Sequence, residues 1–397
     1  MKIVQINTFP YKATGSIMLS LQRVLLKENH ECYSVWGRGR KPENSYEISI
    51  YDKNGIRIHG LYSRLLDKTG FASTRATKKL VERLEEIDPD IIHLHNLHGY
   101  YLNIEILFRY IRKNNKKVVW TLHDCWAFTG HCAYFDRIQC QKWKTGCNKC
   151  PQLNTYPKAL LVDNSLWNWK KKKELFTGLN ITFVTPSIWL QTLVKQSFLQ
   201  KNDVVVIHNG IDLNIFTPVK SDIVKRLGIL NKKMILGVAS EWTERKGLKD
   251  FFELQKQLSN EEYQIVLIGL TNEQIKSLPV GIIGLNRTQN IQELVEFYSS
   301  ACVFVNPTYE DNYPTTNLEA IACGTPVVTY NTGGSPETLE IGITGYVVEQ
   351  GNIKGLIENI VKICQMQCST LGLDMYKYSK EKMLCEYMKL YNKVEKK

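Results

Sequence analysis

Short apolar runs recur along the chain, separated by longer segments in which apolar residues return at helical spacing. The runs are rich in Val and Ile and continuous, as in parallel strands that are buried on both faces. In the first half they predict strands at residues 2–6, 30–35, 91–95, 118–122, 181–185 and 204–207. In the second half they predict strands at residues 234–238, 264–268, 280–283, 302–305 and 326–328. Strands that alternate with helical segments predict an α/β fold of parallel sheets with crossover helices.

The length of the chain predicts that these elements form two domains. At 397 residues the chain exceeds what one hydrophobic core usually supports. Asn209 and Gly210, which follow the last strand of the first half, form a strong turn signal. We therefore expect two doubly wound sheets, with residues 1–207 in the first domain and residues 208–378 in the second.

The charge of the chain calls for an anionic partner. The formal net charge is +12 and the isoelectric point is about 9.0, and nucleotide diphosphate, membrane phospholipid and nucleic acid all remain candidates. Four consecutive lysines, 170–173, lie next to Trp167 and Trp169. This pattern suits an anionic membrane surface, and it equally suits a solvated basic helix face.

The apolar runs also bear on location. None reaches the roughly 18 residues that span a bilayer, and the chain does not open on a signal-peptide pattern. We therefore expect a cytoplasmic protein, with peripheral contact at the inner face of the cell membrane as a possibility left open by the lysines.

Residues 306–337 carry the clearest chemical signal. An apolar strand leads into an acidic loop bounded by Pro307 and Pro314, and Thr315 then starts a helix. Unpaired backbone N–H groups at a helix start can receive phosphate oxygens. Glu319, one turn further, is placed to accept hydrogen bonds from a ribose diol. The alternative for Glu319 is a solvated position on an amphipathic helix.

This segment resembles the donor-site signature of the family-4 retaining glycosyltransferases, in which two acidic residues flank seven others. Asp311 and Glu319 meet that spacing, and Glu310 lies one position earlier. The resemblance implies that the first acid faces the transferred sugar and the second the ribose, and it leaves Asp311 and Glu310 as candidates for the first. It further implies donor contacts from five of the seven residues between them, which are Asn312, Tyr313, Pro314, Thr315 and Thr316.

The resemblance also implies an architecture, known as GT-B, in which two Rossmann-like domains face each other across a cleft. Residues 1–207 would then bind the acceptor and residues 208–378 the nucleotide sugar. A final helix within residues 379–397 would pack back on the first domain, as it does in members of the family.

Two positions in the first half match the family. Gly15 follows the first strand, before an amphipathic helix, and the resemblance places it near the donor diphosphate. His123 follows the strand at 118–122, and the resemblance places it against the donor sugar. His93 and His95 end the preceding strand and are expected to serve packing. The carboxyl ends of parallel strands face the ligand crevice, so all three histidines belong to one edge.

Cations for the diphosphate are expected from the loop after the strand at 234–238. Family members carry an arginine about five residues before a lysine, and here the lysine is Lys246 and the earlier position is Glu241. Arg245 can supply the missing guanidinium. The alternative is a charge cluster on the surface. Leaving-group charge makes such cations necessary, because cleavage of the sugar–phosphate bond loads the diphosphate with negative charge.

The family resemblance implies transfer from a nucleoside-diphosphate sugar with retention and without a catalytic metal, to a saccharide or lipid-linked saccharide, in surface polysaccharide or lipopolysaccharide synthesis. Two alternatives stay open: a sugar-nucleotide epimerase of the same fold, and a basic nucleic-acid-binding protein with a thiolate zinc site. No recognition helix accompanies the cysteines, which disfavours the latter. No G-x-G-x-x-G follows the first strand, which disfavours a nicotinamide enzyme.

The cysteines are not explained by the family pattern. Five of the eleven fall in residues 125–150, where Cys132, Cys140, Cys147 and Cys150 are spaced C-x7-C-x6-C-x2-C. A cytoplasmic location disfavours disulfides, so a four-thiolate structural zinc site is predicted, with His131 as a spare ligand. Reduced buried thiols and redox pairing remain as alternatives.

Overall fold

The computed structural model describes residues 1–366, 370 and 372–396. The strands within them are β1 (Lys2–Asn7), β2 (Glu31–Trp36), β3 (Glu47–Ser49), β4 (Ile91–Leu94), β5 (Lys117–Thr121), β6 (Ile181–Thr185), β7 (Asp203–Val206), β8 (Lys233–Val238), β9 (Tyr263–Ile268), β10 (Ile282–Leu285), β11 (Val303–Asn306), β12 (Val327–Tyr330) and β13 (Gly345–Val348).

Helices connect and cover these strands. They are α1 (Lys12–Lys27), α2 (Lys53–Leu66), α3 (Thr74–Ile87), α4 (Ile104–Lys113), α5 (Ser165–Phe176), α6 (Ile188–Gln196), α7 (Ile223–Arg226), α8 (Leu248–Gln257), α9 (Asn272–Lys276), α10 (Ile291–Ser300), α11 (Thr315–Ala322), α12 (Ile353–Met366) and α13 (Lys380–Glu395).

The first compact unit comprises Met1–Ile207 and Leu384–Lys397. Its seven strands form one sheet in the order β3-β2-β1-β4-β5-β6-β7, and every pair is parallel. The chain crosses from one side of the sheet to the other between β1 and β4, which are neighbours. This reversal of strand order is the point at which open α/β sheets bind ligands.

The second compact unit comprises His208–Met383. Its six strands are again parallel, in the order β10-β9-β8-β11-β12-β13. Strand order reverses between β8 and β11, so the loops that follow these two strands lie side by side. The first stretch of chain in the first unit ends at Ile207, and the second unit begins at His208.

The C-terminal helix α13 belongs to the first unit from Leu384 onward. Its Tyr391 hydroxyl lies 2.6 Å from His93 Nδ1, and its Tyr387 hydroxyl lies 2.9 Å from Thr121 Oγ1. These buried contacts attach the helix to β4 and β5. The sequence placed this return at residues 379–397, slightly earlier than the structure does.

The structure differs from the strand predictions in three places. The strands β3 and β13 were not predicted, because both are short and β3 carries only one aliphatic residue, Ile48. The strand predicted at 280–283 runs instead from Ile282 to Leu285, and Val280 is 96% exposed in the preceding turn. An apolar residue in a turn had extended the apparent run.

Two further features concern the chain as a whole. A disulfide joins Cys302 and Cys364, whose Cα atoms are 5.7 Å apart. Their wide separation in sequence provided no signal for this pairing. Within the described residues, no helix combines the length and the apolarity required to cross a bilayer.

Candidate active site

In the second unit, the loops after β8 and β11 are held against each other at the reversal of strand order. Gly247 has φ +73°, and a Cβ there would lie 2.1 Å from the Pro307 carbonyl oxygen. The Tyr309 N–H donates to the Arg245 carbonyl at 2.8 Å. Glycine is therefore required at position 247 by both conformation and space. Because glycine has no side chain, the loop that carries Arg245 and Lys246 can approach the acidic loop after β11.

These loops bring the predicted cations to the predicted acids. Lys246 Nζ lies 2.5 Å from Asp311 Oδ2. Arg245 Nη1 donates to the Glu310 carbonyl oxygen at 2.6 Å. Asp311 is partly exposed, whereas Glu310 is buried. The two acids therefore differ: Asp311 presents its carboxylate to Lys246, and the backbone of Glu310 fixes Arg245.

Helix α11 begins at Thr315, as the sequence predicted, and carries the second acid. Glu319 Oε2 accepts a hydrogen bond from the Tyr298 hydroxyl at 3.0 Å. Burial raises the pKa of Glu319 to about 6, and the hydrogen bonds from Tyr298 and Thr315 oppose that rise. A half-buried carboxylate with few donors has unused acceptor capacity, which suits a ligand that brings hydroxyl donors.

Asn317 holds the start of this helix in place, a role that was not predicted from the sequence. Its Oδ1 accepts from Asn306 Nδ2 at 2.8 Å, and its Nδ2 donates to Ser335 Oγ at 3.1 Å and to Thr338 Oγ1 at 2.8 Å. The network ties α11 to the end of β11 and to the segment after β12. A polar residue on the buried side of a helix was the available signal.

The glycine-rich turn after β12 touches the acidic loop directly. Gly333 has φ +54°, and a Cβ at that position would lie 1.8 Å from the Asp311 carbonyl oxygen. The remaining loop residues are also in contact with their surroundings: Tyr313 stacks on His208 with ring centroids 4.8 Å apart, and the Asn312 N–H donates to Asp311 Oδ1 at 3.0 Å. The loop is thus held from both sides. Pro314 immediately precedes α11, and Thr316 is partly exposed.

In the first unit, histidines meet at the carboxyl ends of β4 and β5. His95 Nδ1 lies 3.1 Å from His123 Nε2, and the two rings are stacked at an interplanar angle of 15°. Burial lowers the pKa of His123 to about 4 and that of His93 to about 3. His93 lies between Thr121 and Tyr391, consistent with the expected packing role. The cluster is therefore neutral at physiological pH.

Asp124 brings a negative charge next to this cluster. It is bonded to His98 Nε2 at 2.8 Å, and the Trp126 N–H donates to its other oxygen at 2.9 Å. Burial raises the pKa of Asp124, but the interactions with His98 and the Trp126 N–H outweigh it and lower the pKa overall. His98 was not singled out in the sequence, because it follows β4 by several residues and no strand pattern includes it.

Gly15 lies inside α1 and not in a turn before it, which corrects the expectation. The helix begins at Lys12, so Gly15 is in its first turn. A Cβ at Gly15 would lie 2.5 Å from the Pro10 carbonyl carbon. Close packing of the helix on the preceding loop therefore accounts for the glycine.

The four lysines do not form one basic surface, which corrects a second expectation. Lys172 is 1% exposed, and its ammonium donates to the Trp126 and Thr129 carbonyl oxygens at 2.7 and 3.0 Å. Trp169 is also buried. Lys171 pairs with Glu105 at 3.1 Å, so Lys170 and Lys173 are the exposed members.

Comparison with known proteins identifies the family to which the chain belongs. The model described as "Glycosyltransferase Family 4" matches residues 15–215, and the model described as "Glycosyl transferases group 1" matches residues 219–382. The chain belongs to glycosyltransferase family 4. It is a glycosyltransferase of the GT-B type. The α/β fold expected from the alternation of strands and helices and the family expected from residues 306–337 are confirmed.

Individual relatives agree with the family. The chain is 25% identical over 414 residues to the "Putative colanic acid biosynthesis glycosyl transferase WcaC" of Escherichia coli (strain K12), covering 98% of this chain and 99% of that one. It is 27% identical over 215 residues to the N,N'-diacetylbacillosaminyl-diphospho-undecaprenol alpha-1,3-N-acetylgalactosaminyltransferase of Campylobacter jejuni, covering 50% of this chain and 56% of that one. The structure of Anabaena HepE in complex with UDP-glucose superposes with a TM-score of 0.65 at 15% identity, over 99% of this chain and 100% of that one.

Proposed function

We propose that the protein moves a sugar from a nucleoside-diphosphate sugar to a saccharide acceptor, with retention at the anomeric carbon and without a catalytic metal. The observation that carries the proposal is the convergence of Arg245, Lys246 and Asp311 at the strand reversal of the second unit, next to the start of α11. Two cations and a helix N-terminus suit a diphosphate. A carboxylate beside them suits the hydroxyl groups of a sugar.

The chemistry assigns a task to each group. When the bond from anomeric carbon to phosphate breaks, Lys246 and Arg245 stabilise the charge that collects on the diphosphate. Asp311 orients the sugar, and Glu319 accepts hydrogen bonds from the ribose. The acceptor hydroxyl attacks on the face that the nucleotide leaves, and the departing phosphate takes its proton. His123 contributes a neutral imidazole that donates or accepts a hydrogen bond.

The relatives support narrower substrate classes. The name of the Escherichia coli relative supports synthesis of a surface polysaccharide, and the Campylobacter name supports an acceptor that carries a polyprenol diphosphate. The UDP-glucose bound to Anabaena HepE supports a uridine carrier, with guanosine as the alternative to be tested.

A donor panel tests the proposal. The purified protein is incubated with UDP- and GDP-sugars, with and without crude lipid-linked acceptor, and nucleotide release is measured beside the Glu319→Ala variant. Release from one donor, increased by acceptor and lost in the variant, is the expected result. If the donor alone gave an epimerised sugar, the protein would be an epimerase and not a transferase. A product linkage inverted relative to the donor would overturn retention, and loss of activity in EDTA would overturn the metal-free mechanism.

We further propose that the first unit contacts the inner face of the cell membrane through an apolar surface with basic edges. Leu160 and Leu161 are 54% and 73% exposed, and Trp167 is 39% exposed. Lys68 Nζ lies 4.2 Å from the centre of the Trp167 ring, and the Leu160 N–H donates to the Arg64 carbonyl. Exposed aliphatic groups beside an aromatic ring and cations suit a membrane interface with anionic lipid.

Co-sedimentation with vesicles tests this contact. The wild type is expected to bind vesicles containing phosphatidylglycerol, and the Leu161→Ser and Trp167→Ala variants are expected to bind several-fold less. The exposed Val280, in the second unit, provides a matched control as Val280→Ser. Equal binding by all four proteins would overturn this surface and leave the donor site unaffected.

A further inference from the structure

The segment after β5 encloses a small cavity that the transfer chemistry does not use. His131, Cys132, Cys140, Cys147 and Cys150 all line it. Its volume is about 20 Å³, which is room for about one water-sized sphere. A space of this size, bordered by four thiols and an imidazole, matches a single ion better than an organic ligand.

Backbone donors are already directed at the sulfur atoms. The Gly130 N–H donates to Cys147 Sγ at 3.2 Å. The Gln152 N–H donates to the sulfur of Cys150, two residues before it, and Cys132 and Cys150 are hydrogen-bonded to each other. Hydrogen bonds from backbone N–H groups favour the thiolate form, which is the form that binds metal.

His131 gives independent support for a metal ion in this cavity. Its side chain is fully buried, and its Nδ1 lies 2.5 Å from Asp67 Oδ1. Its other ring nitrogen, Nε2, is buried without a hydrogen-bond partner. An imidazole held by a carboxylate through one nitrogen, with the other nitrogen open, is the usual arrangement of a metal-binding histidine. An unpaired buried nitrogen otherwise has a cost in free energy.

Cys140 and Cys150 are both partly buried, whereas Cys132 and Cys147 are buried. The sulfur atoms of Cys132, Cys147 and Cys150 take part in the hydrogen bonds described above, and the Cys150 N–H donates to Asp163 Oδ2 at 2.5 Å. Cys140 is held through its carbonyl oxygen, which accepts from the Trp143 indole N–H at 2.9 Å. The better-held set of ligands is therefore three cysteines and the histidine.

We infer that Cys132, Cys147, Cys150 and His131 bind one structural zinc ion, with Asp67 orienting the imidazole. This set replaces one ligand of the four-thiolate site expected from the spacing. Among the described residues no three potential ligands yet converge on one point, so binding requires side-chain rotation within the shared cavity. Three thiols release their protons to solvent as the Zn–S bonds form. Four protein ligands complete a tetrahedral shell and leave no position for substrate.

Metal analysis and cobalt spectroscopy of the full chain test this inference. Wild type purified under reducing conditions is expected to contain about one zinc per chain, and Co²⁺ added to the metal-free protein is expected to give thiolate-to-cobalt absorption. The Cys147→Ser and His131→Ala variants are expected to lose most of the bound zinc, whereas Cys140→Ser and the exposed-site control Cys385→Ser keep it.

Two results would overturn the inference. Wild type without zinc, whose reduced metal-free form gives no cobalt absorption, would show that the thiols are simply buried or are paired by oxidation, and this result does not depend on any variant folding. Loss of zinc in Cys140→Ser with retention in His131→Ala would instead establish the four-thiolate site.

Discussion

The carboxyl-end edges of the two sheets have the same topology and different electrostatics. At the reversal between β8 and β11, Lys246 lies on Asp311 and Arg245 lies on the backbone of Glu310. At the carboxyl ends of β4 and β5, His95 and His123 stack as neutral rings, because burial lowers their pKa values. The same sheet edge therefore prepares one unit for an anion and the other for uncharged hydrogen-bonding groups.

This difference indicates a division of labour. In the proposed function the diphosphate needs fixed positive charge, which the loop carrying Arg245 and Lys246 would supply; this loop packs against Pro307, where Gly247 has no side chain. A sugar or an acceptor hydroxyl needs donors and acceptors that do not attract phosphate, and neutral imidazoles meet that need. Variants that disturb each edge separately test this difference.

The largest effect is expected from removal of the lysine at the charged edge. Lys246→Met should lower kcat by roughly 10²–10³, because a preorganised donor to the leaving diphosphate is lost. The measurement is steady-state transfer with the donor identified by the panel. Lys249→Met is the matched control, since Lys249 is exposed and pairs with the exposed Glu244 at 2.9 Å. Equal rates in the two variants would contradict the role of the charged edge.

The next effect tests how tightly the acidic loop must be held. Gly333→Ala places a Cβ against the Asp311 carbonyl oxygen and should lower kcat/KM by about 10²-fold, because a displacement of about 1 Å misplaces the loop. Gly342→Ala is the control, since Gly342 also has positive φ, at +83°, but a Cβ added there would have no atom within 4 Å. Both variants carry backbone strain, so only a difference between them reports the contact. Similar losses would assign the effect to strain.

A smaller effect is expected at the neutral edge. His123→Ala should lower kcat roughly tenfold, the worth of one hydrogen bond, with little change in nucleotide affinity. Because burial lowers the pKa of His123 to about 4, the wild-type rate should show no step near pH 6.5 from this group. His30→Ala, outside the cluster, serves as control. A wild-type step near pH 6.5 that disappears in His123→Ala would show that the imidazole titrates and that the edge is not neutral.

Sequence patterns captured the charged edge better than the neutral one for a physical reason. Asp311, Glu319 and the helix start at Thr315 lie within one strand–loop–helix unit, so their spacing alone fixes their relation. The stacking of His95 on His123 depends on the register of β4 against β5, which no local pattern encodes. Asn317 was missed because its partners Ser335 and Thr338 follow a later strand. The buried Lys172 was misread because composition does not reveal which lysine of a run faces the core.

A shift of only a few degrees in Tm is expected from the cost of keeping Glu319 ready for its ligand. Burial raises the pKa of Glu319 from 4.5 to about 6, so the folded state binds more protons than the unfolded state between these values. The free energy of unfolding therefore falls as pH rises through that interval. Above pH 6, Glu319→Gln should raise Tm by about 2–4 °C. Below pH 4.5 it should leave Tm unchanged. Glu358→Gln, on an exposed helix face, should leave Tm unchanged in both pH ranges.

Nucleotide should bind the Glu319→Gln variant roughly ten- to a hundredfold more weakly, since charge-assisted hydrogen bonds are worth about 1.5–3 kcal/mol. Thermal unfolding from pH 4 to 8, with and without nucleotide, measures both quantities. A variant that gains stability without losing affinity would show that the Glu319 carboxylate serves the fold and not the donor.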